Sequence, residues 1–244
     1  MMGYTHISTS TAVAIATAVV MGSDSLAVYL TAAAAGAVGG VIIDADSRDR
    51  FSYPKMTDAG RSKLSALGLL LLCVIIDLVY GTNNLSTIIS RQLLPIIGLV
   101  ILAVMFIVGS HSDHRTITHS LLFIVLTSMG VALIYPQATV FYSIGCVVHL
   151  LLDMLNYPFH GHGIWLLYPI IKGKGIALKL CKSSKTGNKT AYFIGLIGCI
   201  VVSGLFAYKS SNPIYYIPTI IIVAYLVIVL HFVRTKTEKE LISK

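Results

Sequence analysis

Apolar runs dominate the chain, and most are as long as a bilayer is thick. A spanning helix needs about 20 mainly apolar residues, with about 17 as a practical minimum. Eight runs are predicted as helices: His6–Met21, Leu26–Ile43, Leu64–Tyr80, Leu93–Gly109, Thr118–Tyr135, Val140–Leu155, Ala191–Tyr208 and Ile214–Val233. The first two are short, rich in Ala and weakly apolar, which suits them to tilt or to sit partly inside a bundle. Lys, Arg and Glu interrupt none of the other six, and Asp77 lies near a helix end, within reach of the interface. The predicted fold class is all-α, a polytopic membrane bundle of about eight helices. No internal repeat or shift of composition marks a second domain. Residues 1–244 therefore read as one membrane-embedded domain, its polar clusters within about 1–170 and its C-terminal helices at about 191–233.

Composition narrows the class further. Hydrophobic residues make up 56% of the 244 residues and charged ones 11%, where a soluble domain carries about 25% charged. Disorder, collagen, coiled coil and a small disulfide scaffold are excluded on the same ground. The net charge of +8 has a topological reading. Of the 18 Lys and Arg residues, all but Arg91 and Lys209 fall in the segments that eight crossings place on one side. Basic residues concentrate in cytoplasmic loops, so both termini and the polar face are expected in the cytoplasm. A cleavable leader needs a basic start, and residues 1–10 carry no Lys or Arg, so none is expected. The six lysines from Lys172 to Lys189 have no interleaved aromatic residues, which argues for contact with lipid headgroups and against nucleic acid. Cys73, Cys146, Cys181 and Cys199 lack CxxC spacing and read as packing residues in a reducing compartment.

Polar residues in and beside the apolar runs carry the chemistry, since ionisable groups in membrane helices cost about 2.5–3.5 kcal/mol each on the insertion scale. Four clusters stand out. His6 starts the first helix. Asp44 and Asp46 follow the second, at a helix C-terminus where the dipole disfavours anions. His111, Asp113, His114, Arg115 and His119 crowd the segment before the fifth, which Thr116 or Thr118 is placed to cap. His149 and Asp153 stand four residues apart, on one face of the sixth. The spans place all four clusters at the same membrane face.

Imidazole nitrogen with carboxylate oxygen suits a divalent metal: zinc first, with manganese or iron as alternatives. His6, Asp44, Asp46, His114, His119, His149 and Asp153 are the candidate ligands. Seven exceed the four of one tetrahedral zinc, which implies two ions, or one ion with some carboxylates orienting the imidazoles. Such a site would activate water for attack on an ester or phosphate. Arg115 could clamp a phosphate, and Arg115 and Asp153 are the candidate catalytic residues. His160 and His162 read as part of a glycine-containing loop, and His231 as interfacial.

These clusters, in this order, resemble the YdjM-like family of membrane-bound, metal-dependent hydrolases of bacteria and archaea. Members carry a His near the start, an LPDID-like turn, an HRGxTHS-like stretch, and an HxxxD helix followed by a Gly and a PLLWP-like run. The counterparts here are Thr5-His6, Ile42–Ser47, His114–Ser120, and His149–Asp153 followed by Gly163–Pro169. Ile43 stands where Pro is frequent, and Thr116 where Gly is. The resemblance implies a multi-pass inner-membrane protein acting on a small-molecule or lipid substrate. Two other readings stay open: a divalent metal-ion transporter, and a structural membrane protein whose polar clusters tie helices together.

Overall fold

Turn chemistry sets the helix ends in the computed structural model, which describes residues 1–46, 57–113, 115–156, 163–172, 175–180 and 186–242. The described residues form nine α-helices: α1 (Gly3–Val20), α2 (Leu26–Ile42), α3 (Asp58–Tyr80), α4 (Asn84–Ser90), α5 (Leu94–Ser110), α6 (Leu121–Ile134), α7 (Pro136–Met154), α8 (Thr186–Lys209) and α9 (Tyr216–Ile242). A 3-10 turn, Ile43–Asp46, follows α2 directly. Thr57 caps α3 through its side chain, and Gly81 ends that helix at φ 62°, in the left-handed region open to glycine. Pro136 cannot continue α6 and starts α7 instead. No strand forms among the described residues; Ile164 and Ile176 make one isolated antiparallel bridge.

All eight predicted runs appear as helices. Five segments are long and apolar enough to cross a bilayer: Leu26–Asp46, Asp58–Tyr80, Pro136–Met154, Gly187–Lys209 and Pro213–Glu240. The bent pair α4 and α5, at 97°, makes a sixth if it is one span. At 14 residues α6 is short, because the side chain of Ser120, not of Thr116 or Thr118, caps it by accepting from the Phe123 amide. Asp77, near the end of α3, turns into the protein. It is buried and accepts from the amides of Asn84 and Leu85, both at 2.9 Å, which fixes the start of α4.

Helix α1 runs through the interior, against α2, α7 and α8, with further contacts to α3 and α9. Its polar stretch Thr5, His6, Ser8, Ser10 and Thr11 is fully buried. Small residues let the backbones meet there. A Cβ on Gly145 of α7 would sit 2.5 Å from the Gly36 carbonyl of α2, and one on Gly40 would sit 2.7 Å from Ser10 Oγ of α1. The Ser10 hydroxyl donates to the Gly145 carbonyl at 3.1 Å, tying α1 to α7. The outer surface is the reverse: Ile96, Ile97, Val100 and Val104 of α5 and Ile194, Ile197 and Val201 of α8 are exposed. Apolar faces this extensive are stable in lipid, not in water.

Candidate metal centre

The close triad of α1, α2 and α7 brings three of the sequence clusters to one point, and the segment before α6 adds the fourth. Ligand atoms of Asp44, His119, His149 and Asp153 lie within 4.8 Å of one another. His119 Nε2 is 3.4 Å from Asp153 Oδ2 and 3.9 Å from Asp44 Oδ1. His149 Nε2 is 3.6 Å from each of the same two oxygens. Ligands at about 2.0–2.2 Å from a tetrahedral zinc stand about 3.3–3.6 Å apart, so these separations are close to those of a coordination shell. His119, His149 and Asp153 are buried, while Asp44 keeps 16% of its side chain exposed. Asp44 is the donor nearest the protein surface.

The imidazoles are aimed by their other nitrogens. His149 Nδ1 donates to the Gly40 carbonyl at 2.8 Å, which leaves the Nε2 lone pair facing the carboxylates. That Nε2 has no hydrogen-bond partner among the described residues, and neither does Nδ1 of His6. Buried nitrogens of this kind are rare unless something unseen binds them. The fit to a divalent cation rests on them and on the mixed nitrogen and oxygen donor set. Behind His119, Asp46 Oδ2 lies 3.4 Å from Nδ1 and accepts from the Thr118 hydroxyl at 2.5 Å and the Arg115 amide at 3.0 Å. With its proton given to Asp46, the Thr118 oxygen is left to accept from His119 Nδ1 at 3.0 Å. Burial alone would depress the His119 imidazole, which lies outside the helices. The carboxylates of Asp153 and Asp46 outweigh it and push the group up to about 9. A proton and a metal ion therefore compete for Nε2.

His6 stands one position to the side. Its ring stacks on His149 with centroids 3.8 Å apart, and its Nε2 is 3.3 Å from Asp153 Oδ1. The same oxygen accepts the Met1 amino group. Asp153 thus offers one oxygen to His6 and the other to His119 and His149. Arg115 is buried at φ 68°, its carbonyl accepting from Trp165. The left-handed residue of this turn is Arg115 and not Thr116, so the turn places no demand for glycine at 116. Ile43, at φ −59°, likewise adopts a conformation that proline shares. His114, His160 and His162 lie outside the described residues. His111 is exposed and bonds to the Ile107 carbonyl, away from the centre.

Two contributors were not singled out from the sequence. Gly40 acts through its carbonyl, which side-chain chemistry cannot reveal. Thr118 was read only as a cap, although its place beside His119 is a usable signal. Replacing Thr118 with Val should free His119 and Asp46 from their mutual orientation. Metal affinity, followed by chelator competition, is expected to fall about 10- to 100-fold, with the helical content unchanged by circular dichroism.

No curated protein and no solved structure matches this chain. A family model does, over residues 1–236, a stretch that holds every donor described above. The chain belongs to the YdjM inner membrane protein family.

Proposed function

We propose that the protein is a metal-dependent hydrolase of the inner membrane that acts on an ester or phosphoester, lipid-borne or small. The observation that carries this reading is the set Asp44, His119, His149 and Asp153 within 4.8 Å, with the His149 Nε2 lone pair directed inward. Asp44, His119, His149 and Asp153 would hold a divalent cation, which would supply a Lewis acid for activating water. The chain does the rest. Gly40 and Thr118 hold the two imidazoles in register. Asp46 fixes His119 and the Arg115 backbone together. Asp153 joins the donor set to His6. Arg115 receives the anionic substrate group. The basic loops favour a cytoplasmic position for this face.

A transporter reading is less well supported. Transport sites gather near the middle of the bilayer, at broken helices, whereas these donors sit at helix ends and the interior cavity below them is apolar. The test is a panel of water-soluble and lipid-borne phosphoesters and carboxylic esters, with protein loaded with zinc, manganese or iron. Hydrolysis that needs the metal and is lost in Asp153→Asn is expected. Arg115→Ala should raise KM for anionic substrates more than it lowers kcat. No hydrolysis across the panel, or metal uptake into proteoliposomes that Asp153→Ala abolishes, would contradict it.

A further inference from the structure

The helices that carry the centre also line a cavity of about 220 Å³ deeper in the bundle. Val38 of α2 lies six residues before Asp44, and Tyr142 of α7 seven before His149. At 1.5 Å per residue the cavity begins about 9–11 Å below the donors on both helices. From there it descends along Ala34 and Leu30 of α2, walled by Leu70 and Cys73 of α3 and by Ile134 of α6. The side at α3 is open: Leu70 lines the cavity and is exposed, beside the outward-facing Leu67 and Leu71.

The lining offers little to a polar guest. The Thr31 hydroxyl donates to the Ala27 carbonyl at 2.8 Å. Asp77 is occupied by the amides that start α4, and Asn84 accepts from the Tyr135 hydroxyl at 2.7 Å. At the end nearest the centre the buried Tyr142 hydroxyl is engaged by Thr127 of α6 and Cys146 of α7, neither of which lines the cavity. An engineered apolar cavity of about 150 Å³ admits benzene, so this one admits a length of hydrocarbon chain. Its depth, its apolar lining and its open side in the bilayer select one class of guest.

We propose that this cavity binds one acyl chain of a membrane lipid, admitted from the bilayer at the α3 side.

The test uses the full chain in phosphatidylglycerol and phosphatidylethanolamine vesicles doped with a phospholipid carrying a diazirine in its acyl chain. After photolysis, adducts are mapped by peptide mass spectrometry. Label is expected at Val38 and Cys73, and its loss in Ala34→Phe, with label on the outer residues Ile96 and Ile97 kept and bound metal unchanged. Leu70→Trp fills the cavity from its open side and serves where Ala34→Phe does not fold. Label confined to the outer faces, or label at Val38 that survives both fillings, would overturn the inference. Labelling requires no turnover. A cavity that labels in a protein hydrolysing nothing refutes the reaction and leaves the chain site. Hydrolysis of water-soluble phosphoesters without cavity label refutes the chain site alone.

Discussion

Protein carrying His149→Ala is expected to purify without its divalent metal. His149 is fully buried and donates to the Gly40 carbonyl, and its Nε2 faces both Asp44 and Asp153 at 3.6 Å. Removing a group that merely orients a ligand costs about 10- to 100-fold in metal affinity; removing the ligand costs more. The substitution also takes away the ring that stacks on His6 and leaves the Asp44 and Asp153 carboxylates with fewer partners. Emptying the space of a buried side chain costs about 2–5 kcal/mol, so the melting temperature should fall together with the metal content. His111→Ala is the control. His111 is exposed and bonds only locally, so metal content and melting temperature should stay at the parent values. Elemental analysis per chain, with thermal melting in detergent, reads both.

The second large effect is expected at a residue that gives the centre no ligand. Gly145→Val should separate α7 from α2 and lose the metal with every ligand intact. A Cβ at 145 would lie 2.5 Å from the Gly36 carbonyl, 3.0 Å from the Gly40 nitrogen and 3.1 Å from the Gly39 Cα. All three are backbone, so no side chain can swing aside. Overpacking a core typically costs about 1–3 kcal/mol, and a clash of two helix backbones belongs at the top of that range or above it. The shift is amplified at the centre, because His149 is one turn from Gly145 on α7 and its Gly40 acceptor is on α2. Gly204→Ala in α8 tests the mechanism from the other side. Nothing lies within 4 Å of a Cβ there, and Ala favours a helix over Gly by about 1 kcal/mol. That variant should be as stable as the parent or slightly more so, with full metal content.

The contrast between these positions shows what the sequence could carry. Apolar length located every long helix, because the bilayer imposes it. It overestimated α6, since Thr118 and Ser120 are both competent caps and only the pull of Asp46 on the Thr118 hydroxyl decides between them. It missed α4, whose seven residues hold a fixed bend only because Asp77, eight residues before Leu85, turns inward to accept its first amides. Spacing put His149 and Asp153 on one face, and residue type alone proposed metal. The order of the ligands in space was not legible. Asp44 and Asp46 are equivalent in sequence, yet a turn of 3-10 helix sends one toward the shared point and the other behind His119. The glycines of α2 read as composition; only packing gives Gly40 the two tasks of admitting α1 and holding His149.

The most direct measurement is X-ray absorption at the metal edge of the purified inner-membrane protein, together with elemental analysis. The account predicts near-stoichiometric divalent metal in a shell of nitrogen and oxygen at about 2.0–2.2 Å, with the multiple-scattering signature of two imidazoles that drops to one in His119→Ala. Protein that carries no metal, or metal whose spectrum holds no imidazole and does not respond to His119→Ala, would contradict it.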